Sequence, residues 1–500
     1  MIKVFSNEQI RKADEYTIKN EPVLSYDLME QASKAFVEKF LALFPEKKKV
    51  RIFSGVGNNG GDGLAIGRIL KENEWEVFNY VVGSLQRGTK DFRQNLDRSD
   101  FYAVINAVDD LPAIDEDEII IDALFGSGLS RPVEGIHKKV IDYLNRQEVV
   151  KVSVDIPSGL YSDKPVDKGS TVFRAHYTIS FQLPKLAFLI PENHAFVGIW
   201  YIVDIGLSKR FIKNESAHFY LTEEKDLKDF VPKRSRFTYK TKVGTLLLVA
   251  GSKGKIGASV LAARAAFRTG AGLVNICSPA CGIPILQISV PEAIVIDGVG
   301  KNYVTKIPAG ENTIVIGPGL GTNAKTIAAF EHLLKECKRP IVIDADGINM
   351  VAKRRALLKL IPKHSILTPH PGEFIRLVGN WKNDFHKLEL LSSFCKGQKL
   401  NVVLKGAFSA VCNTKGVVYF NPSGNPVLAT AGSGDVLTGI IGAFLANGLE
   451  PFEALRLGVY VHGSSGDVLK ENKAGLGMMA SDIIERIPDA LKKLSPKIGI

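Results

Sequence analysis

Two series of apolar segments alternate with amphipathic helical segments along the 500-residue chain, and this alternation restricts the fold more than any other feature. Strands that are buried on both faces form near-continuous apolar runs, and the helices between them cover a parallel sheet. The first series therefore predicts an α/β domain with a Rossmann-like parallel sheet. It predicts helices at 7–19 and 26–44 and strands at 50–54, 76–82, 119–123, 149–155, 177–181 and 199–204.

A polar stretch of mixed charge follows the first series, and the boundary between two domains is expected within it, near 210–225. Beyond it the alternation resumes, which predicts a second, larger α/β domain. The predicted domains cover residues 1–215 and 220–500. The second series predicts strands at 245–250, 273–277, 313–316, 341–344, 365–368 and 402–405.

The net charge of +11 raises the question of a nucleic-acid partner. The basic residues are scattered, and their two clusters, 47–49 and 233–236, have no interleaved aromatic side chains on which bases could stack. A small, phosphate-rich ligand explains the charge better than nucleic acid does. No membrane partner is expected, because the longest charge-free apolar stretch, 436–449, is too short to span a bilayer. Five cysteines without C-x-x-C pairs, and no visible export signal, favour a cytoplasmic location.

The sequence GNNGGDG at 57–63 lies between a predicted strand and a predicted helix, a position where backbone amides bind phosphate. Gly55, Gly57 and Gly60 also match the dinucleotide fingerprint G-x-G-x-x-G. A dinucleotide-binding unit carries an acid at the end of its second strand, about 20 residues further on. Here that strand ends at Val82 without one. The sequence therefore disfavours a nicotinamide-dependent dehydrogenase.

Two further loops are expected beside this turn, because the carboxyl ends of parallel strands meet at one edge of the sheet. Asp122 ends one predicted strand and Asp155 ends the next, and the loops behind them contain 126–132 and Ser158. Either carboxylate alone could simply cap a turn. Both together, with the amides and the acid of the glycine turn, favour a functional site.

A second glycine turn, VLATAGSGDVLTG at 427–439, precedes an apolar helix predicted at 436–445. The amides of 431–434 would face a helix N-terminus, where free N–H groups and partial positive charge favour an anion. If Asp435 only bound phosphate, its negative charge would repel that ligand. Its charge suits the role of a base that takes the proton of a phosphoryl acceptor. The alternative is a charge that only stabilises the helix. No G-x-x-x-x-G-K-[ST] motif is present, so this is not a P-loop protein.

The motifs GNNGGDG, DALFGSGLSRP and VDIPSG, in this order and spacing, resemble the YjeF N-terminal family, the NAD(P)H-hydrate epimerases, over residues 1–215. The resemblance implies that Asp155 is the acid/base group at C6 of the hydrated nicotinamide ring. It also implies a potassium site formed by Asn59, Asp122 and Ser158. The substrate-binding residues that it implies are Asn58, Asn59, Gly60, Gly61, Asp62, Gly126, Ser127, Gly128, Leu129, Ser130, Arg131, Pro132 and Asp155.

The second glycine turn is accompanied by GPGLG at 317–321, DADG at 344–347, TPHPGE at 368–373 and KGA at 405–407. This set resembles the ribokinase-like fold and, more closely, the YjeF C-terminal family of ADP- or ATP-dependent NAD(P)H-hydrate dehydratases. The resemblance implies that Asp435 deprotonates the 6-hydroxyl group and that magnesium accompanies the nucleotide phosphates. The residues implied for the hydrated nucleotide are Ala258, Gly319, His370 and Asp435. Those implied for the adenine nucleotide are Lys405, Gly406, Ala407, Phe408, Ser409 and Gly434.

Together the resemblances imply a bifunctional isomerase and lyase that repairs hydrated NADH and NADPH, the compounds NADHX and NADPHX. The first domain would interconvert the (R) and (S) epimers at C6. The second would dehydrate the (S) epimer with ADP or ATP and release AMP or ADP and phosphate. ADP is the expected donor and a homo-oligomer the expected assembly.

Two alternatives stay open from the residues alone. One is a small-molecule kinase whose first domain is regulatory, and the other is a chain whose first domain binds a ligand without catalysis. Two residues have more than one interpretation. His370 can also be read as a turn residue, and Glu373 can be read either as an acid near the nucleotide or as a charge that stabilises the first turn of a helix.

Overall fold

A computed structural model describes residues 1–99, 101–308, 310, 312–472 and 477–495 of the chain. It divides into two compact units, of which the first comprises Ile2–Phe219 with Asn383–Phe385 and the second comprises the remainder. The last positions of the second predicted domain, 496–500, lie outside the described residues. No helix in the described part is both long enough and apolar enough to cross a membrane.

The first unit contains a parallel sheet with helices along the chain between its strands. Its strands are β1 (Ile2–Val4), β2 (Val50–Ser54), β3 (Val77–Val82), β4 (Ala103–Ile105), β5 (Ile119–Ala123), β6 (Val150–Val154), β7 (Tyr177–Phe181) and β8 (Ile199–Val203). Its helices are α1 (Asn7–Asn20), α2 (Ser25–Leu43), α3 (Asn58–Glu72), α4 (Lys90–Asp97), α5 (Gly135–Asn145), α6 (His194–Val197) and α7 (Lys209–Asn214).

Seven of these strands pair in the order β4-β3-β2-β5-β6-β7-β8, and every pair is parallel. The strand order reverses between β2 and β5, and open α/β sheets bind ligands at such a point, outside the carboxyl ends of the strands. The loop after β2 contains the first glycine turn, and Asp122 lies at the end of β5. The prediction of a Rossmann-like sheet is confirmed.

The core of the first unit lies on both faces of this sheet. Side chains along a strand point alternately to opposite faces, so Ile52 and Phe53 of β2 enter different clusters. Ile52 packs with residues of α2 and α3 such as Phe36 and Ile66, whereas Phe53 packs with residues of α5 such as Leu144. Burial on both faces explains why the strand sequences read as continuous apolar runs.

The second unit contains the larger sheet. Its strands are β9 (Phe219–Leu221), β10 (Thr245–Val249), β11 (Leu273–Ser278), β12 (Ile294–Asp297), β13 (Thr313–Ile316), β14 (Val342–Ile343), β15 (Ile366–Leu367), β16 (Asn401–Leu404), β17 (Ala410–Cys412) and β18 (Val418–Phe420). Its helices are α8 (Ile256–Thr269), α9 (Ile283–Ser289), α10 (Ala324–Glu336), α11 (Asp346–Lys353), α12 (Pro371–Val378), α13 (Asp384–Gln398), α14 (Ser433–Ala446), α15 (Pro451–Asn472) and α16 (Ala480–Leu494).

Nine of these strands follow the order β18-β17-β16-β15-β14-β13-β10-β11-β12. The pairs from β16 to β12 are parallel, whereas β17 and β18 run antiparallel and form a hairpin beside β16. The order reverses between β10 and β13. The loops after β10, β13, β14, β15 and β16 therefore lie at one edge of the sheet, and they contain the motifs at 251–257, 317–321, 344–347, 368–373 and 405–407.

Candidate functional sites

Three loops of the first unit surround a cavity of about 1280 Å³ at the carboxyl edge of its sheet. The predicted site residues that line this cavity are Asn58, Asn59, Asp62, 126–132 and Asp155. Four others lie outside its lining: Gly60, Gly61, Asp122 and Ser158. The structure thus brings the predicted substrate residues together and places most of the predicted potassium ligands behind them.

Close backbone packing explains the glycines at the start of α3. A Cβ atom on Gly60 would lie 1.7 Å from the carbonyl oxygen of Gly55, and one on Gly55 would lie 2.1 Å from that of Leu124. Both distances are far inside van der Waals contact with rigid backbone, so no side chain fits there. A Cβ on Gly57, by contrast, would meet nothing within 4 Å. The turn therefore lies directly against the loop that follows β5.

Asp122 is fully buried at the end of β5 and accepts hydrogen bonds from the loop after β6. Ser158 donates its hydroxyl at 2.6 Å and its amide at 2.8 Å, and the Ser153 hydroxyl donates at 2.9 Å. Burial raises the pKa of Asp122 to about 6, although the hydrogen bonds from Ser158 act in the opposite direction. The amide nitrogen of buried Asn59 has no hydrogen-bond partner among the described residues, and the Asn59 side chain is the closest neighbour of Gly126.

Asp155 adopts a left-handed backbone conformation, with φ of 65°, directly after β6. A residue with a Cβ atom rarely adopts this conformation, and such strain is concentrated at functional sites. The side chain is almost fully buried, and its Oδ1 atom accepts hydrogen bonds from Lys185 Nζ at 2.5 Å and from the Phe181 amide at 3.1 Å. Lys185 is itself only 1% exposed, and it also donates to the Ser180 hydroxyl at 2.8 Å.

Five carboxyl groups line the cavity: Glu8, Asp14, Asp62, Glu134 and Asp155. Burial raises the pKa of Asp62 well above its ordinary range, and the charges of Asp155 and Asp14 raise it further. Burial, followed by the charge of Asp155, raises the pKa of Asp14 to about 7. The cavity also has basic side chains that suit an anionic ligand: Arg11, Arg87, Arg131 and Lys185.

Sequence reasoning did not find Asp14 or Lys185. Asp14 lies on α1, which is far from the glycine turn in sequence, and no motif marks it. Lys185 did leave a signal, because it is a single charge in the apolar segment LPKLAFLI, and lysine is rarely buried without a partner.

The second candidate site begins at the N-terminus of α14. Gly432 precedes the helix with φ of 86°, in the left-handed region that favours glycine, and a Cβ there would lie 2.5 Å from the Leu261 side chain of α8. Asp435 lies in the first turn, as the sequence predicts. The first amides of this helix are free to bind an anion, because the N-terminal N–H groups of a helix have no partner within it.

Asp344 connects four elements at this edge of the sheet. It lies directly after β14 and is 1% exposed. Its Oδ1 atom accepts hydrogen bonds from the Thr368 hydroxyl at 2.6 Å, after β15, and from Lys405 Nζ at 3.1 Å, after β16. Its Oδ2 atom accepts one from the Thr438 hydroxyl of α14 at 2.6 Å. This network fixes Lys405 and the helix start relative to the sheet.

Asp435 is the carboxyl group of this site whose pKa lies near neutrality. Burial raises the pKa of Asp435 to about 7; the negative charge of Asp344 acts in the same direction and the Lys405 ammonium acts against it. A carboxyl group with a pKa near neutrality can act as a base at physiological pH. Lys405 Nζ also lies 3.4 Å from the position of a Cβ on Gly434, so two of the predicted adenine-nucleotide residues are neighbours.

The remaining predicted residues surround the same helix start. Ala258 and Gly319 are neighbours, since a Cβ on Gly319 would lie 3.1 Å from that of Ala258. The Lys405 amide donates to the carbonyl of Pro369, which precedes His370. The four further residues predicted for the adenine nucleotide, Gly406, Ala407, Phe408 and Ser409, form the turn after β16, where the Ser409 hydroxyl donates to the Gly406 carbonyl at 3.0 Å.

The structure gives His370 and Glu373 a structural role at the start of α12. The Nδ1 atom of His370 accepts a hydrogen bond from the Gly372 amide, and Glu373 accepts one from the His370 amide at 3.0 Å. Together they form a capping box, which satisfies free amides of the first turn. The His370 side chain is still 52% exposed and remains accessible to a ligand.

Sequence reasoning also did not find the partner of Ser433. The Ser433 hydroxyl lies 3.0 Å from Nε2 of His462, which is on α15 and partly buried. Burial lowers the pKa of His462 to about 4, so the imidazole is neutral at physiological pH. It therefore holds the first residue of α14 without adding charge beside Asp435.

These two sites define a class: a two-domain α/β enzyme with a glycine turn and a buried carboxyl group of raised pKa in each domain. Comparisons with known proteins identify the family. Residues 25–187 match the model of the YjeF-related protein N-terminus, and residues 246–489 match the model of NAD(P)H-hydrate dehydratase. The chain belongs to the family of bifunctional NAD(P)H-hydrate repair enzymes.

Curated relatives and a solved structure support this assignment. The chain is 32% identical to the bifunctional NAD(P)H-hydrate repair enzyme of Moorella thermoacetica, over 94% of this chain and 93% of the relative. It is also 32% identical to that of Dictyoglomus turgidum, over 99% of both chains. The ADP/ATP-dependent NAD(P)H-hydrate dehydratase of Bacillus subtilis, co-crystallised with ATP and Mg²⁺, is 28% identical with a TM-score of 0.50. It matches over 55% of this chain and 99% of its own, which confirms the ribokinase-like fold of the second domain.

Proposed function

We propose that the chain repairs hydrated NADH and NADPH in two steps, with one step in each domain. Residues 1–215 epimerise the (R) and (S) forms of NADHX and NADPHX at C6. Residues 220–500 dehydrate the (S) form with ADP or ATP. The observation that carries the proposal is that one chain contains both candidate sites: Asp155 lies in a cavity that also has four basic side chains, and Asp435 has a pKa of about 7 in the first turn of α14.

In the epimerase site, the cavity binds the nucleotide and Asp155 moves a proton at C6. The amides at the start of α3 and the loop at 126–132 bind the phosphates and the ribose. Asp155 is the anionic member of an ion pair with Lys185, which also orients its carboxylate. The carboxylate accepts the proton of the 6-hydroxyl, the bond between C6 and the ring nitrogen breaks as the nitrogen takes up a proton, and the ring closes again in either configuration.

The residues behind the cavity fit a potassium ion. Asp122 and Ser158 offer hard oxygen atoms, and buried Asn59, whose amide nitrogen has no hydrogen-bond partner among the described residues, adds an amide oxygen of the same kind. When bound, the ion would fix the loops after β2, β5 and β6 relative to one another. The nucleotide itself is bound by the start of α3 and by the loop at 126–132, not by the ion.

In the dehydratase site, Asp435 takes the proton of the 6-hydroxyl while the terminal phosphoryl group of the adenine nucleotide moves to its oxygen. Ala258, Gly319 and His370 contact the hydrated nucleotide. The amides of α14 and the Lys405 ammonium stabilise the charge that develops on the phosphoryl group. The new phosphate is a good leaving group, unlike hydroxide, so the electron pair of the ring nitrogen expels it, and loss of a proton from C5 then restores the dihydropyridine.

A magnesium ion fits this site through the nucleotide rather than through the chain. Magnesium is bound mainly by substrate phosphates, water and one or two carboxylates. Among the described residues, no cluster of three His, Cys, Asp or Glu side chains could hold a metal ion. Asp344 is already bonded to three donors, which leaves phosphate oxygens as the main ligands.

The choice of ADP as donor, a homo-oligomeric assembly and a cytoplasmic location stay predictions.

The proposal is tested with a mixture of both epimers and either ADP or ATP. The wild-type chain should restore the absorbance of all the reduced cofactor and release inorganic phosphate. Asp155→Ala should restore only the (S) share of the mixture, and Asp435→Ala should restore none. A stable phosphorylated product would instead identify a small-molecule kinase. Full recovery with Asp155→Ala would identify a first domain that binds ligand without catalysis.

A further inference from the structure

The helix α1 forms one wall of the epimerase cavity and contributes two carboxyl groups to it, Glu8, which is paired with Lys12, and Asp14. Asn7, Ile10, Arg11 and Asp14 all line the cavity. Their spacing of three and four residues places them on one face of the helix. The adjacent residues Ala13 and Thr17 are fully buried, so this helix is fixed to the rest of the first unit.

The environment of Asp14 differs from that of Asp155. Asp155 is paired with Lys185, whereas the Asp14 carboxyl group makes no side-chain hydrogen bond or salt bridge to the described residues. The charged groups that act on it are Asp155, Lys185 and Glu15, and Asp62 also feels its charge. With a pKa of about 7, Asp14 is present in both the protonated and the ionised form at neutral pH.

Inversion at C6 requires a proton donor and a proton acceptor at the same time. When the hydroxyl loses its proton and the bond between C6 and the ring nitrogen breaks, C6 becomes an aldehyde and the nitrogen takes up a proton. The aldehyde rotates, the nitrogen attacks its other face, and both protons move back. No oxidant, reductant or further reactant is consumed. The hydroxyl of the product points to the opposite side of the ring from that of the substrate, so one fixed carboxylate serves only one of the two positions.

We propose that Asp14 is the second acid/base group of the epimerase and works as a pair with Asp155, one group on each side of C6. The proposal rests on the epimerase function proposed above. Of the carboxyl groups that line this cavity, Asp155 is paired with an ammonium group and Asp14 is unpaired, and this difference divides the acceptor and donor roles between them. Asp155 takes the hydroxyl proton of one epimer while Asp14 protonates the ring nitrogen, and the roles are exchanged for the other epimer.

The test measures epimerisation by the full chain without adenine nucleotide, so that the dehydratase is silent. Each purified epimer is incubated, and its conversion is followed by chromatography across a range of pH. Asp14→Asn should reduce kcat by roughly 10²- to 10⁴-fold in both directions with little change in KM. It should also remove the pH dependence near neutrality, and Asp14→Glu should restore part of the rate.

The matched control is Glu15→Gln, which removes a neighbouring charge that is 70% exposed and lies outside the cavity lining. It should keep the wild-type kcat, with only a small shift of the pH profile to lower pH, because the charge of Glu15 is the smallest of the causes that act on the pKa of Asp14. A thermal unfolding scan of each variant checks that the first domain folds. Wild-type kcat and an unchanged pH profile in a folded Asp14→Asn chain would overturn the role of Asp14. A wild-type chain that does not epimerise either compound would instead overturn the proposed function.

Discussion

At the scale of single residues, both sites use carboxyl groups whose pKa is set by burial. Asp435 and Asp14 each have a pKa of about 7, and in both cases burial is the largest cause and a second carboxylate adds to it. Each group therefore changes its protonation state in the range where a metabolic enzyme works. The fold obtains these pKa values by burying Asp435 in the first turn of α14 and Asp14 on the face of α1 that lines the cavity.

The pKa of Asp435 predicts the pH dependence of the dehydratase. A base must be ionised to accept a proton, so kcat/KM for the (S) epimer should be constant above about pH 7 and should fall about tenfold per pH unit below it. Asp346→Asn removes a negative neighbour that raises this pKa, and it should shift the falling limb to lower pH. A limb that stays in place in Asp346→Asn would contradict this origin of the pKa.

The sequence predicted the site residues that belong to motifs and missed those that do not. Asp122 and Asp155 follow apolar runs and Asp435 directly precedes one, so the local pattern shows that they end strands or begin a helix. Asp14 and His462 reach their sites only through the packing of α1 and α15, and proximity of this kind depends on tertiary structure. Neither the spacing nor the composition around them carries that information.

At the scale of elements, the predicted strands were found within a few residues of their expected ends, since each is an apolar run that the sheet buries on both faces. The strands that the sequence missed are short. β4, β17 and β18 have three residues each, which is too few to show a periodic pattern, and β17 and β18 owe their conformation to pairing with each other beside β16. β14 is shorter than expected because Asp344 leaves the sheet to bind Thr368, Lys405 and Thr438.

The packing of α3 against the loop after β5 predicts a contrast between two glycines of one turn. Gly60→Ala places a Cβ against backbone at 1.7 Å and should reduce the free energy of unfolding of the first domain by about 1–3 kcal/mol or more. Gly57→Ala meets no atom within 4 Å and should leave the unfolding temperature unchanged. Calorimetry of both full-length variants makes the comparison. Equal unfolding temperatures would show that the turn can move away from Gly55.

The contact between α14 and α15 predicts a pH dependence of stability. The pKa of His462 falls from 6.5 to about 4 on folding, so the unfolded chain binds this proton more tightly. The stabilisation from the neutral imidazole is complete above pH 6.5 and is lost as the pH falls toward 4, in total about 3 kcal/mol. Denaturant unfolding should show the stability difference between wild type and His462→Gln shrinking over this range. His332→Gln, at an exposed histidine, should show no such trend.

At the scale of the whole molecule, each site consists of residues from one compact unit. All residues that line the epimerase cavity belong to Ile2–Phe219, and the residues of the dehydratase site all belong to the second unit. Each domain therefore holds its own chemistry. Fusion gives the two activities in a fixed ratio, which matters because the dehydratase accepts one epimer and spontaneous hydration makes both.

Because each site is complete in its own unit, two inactive copies should complement each other. Asp155→Ala keeps the dehydratase and Asp435→Ala keeps the epimerase, so a mixture of the two full-length variants should recover all the reduced cofactor from mixed epimers. The (S) epimer made by one chain is a free nucleotide that the other chain can bind. The control is Asp155→Ala mixed with the double variant Asp155→Ala/Asp435→Ala, which should stop at the (S) share. If the mixture of Asp155→Ala and Asp435→Ala also stopped at the (S) share, the (S) epimer would have to pass from one site to the other within a single chain without being released.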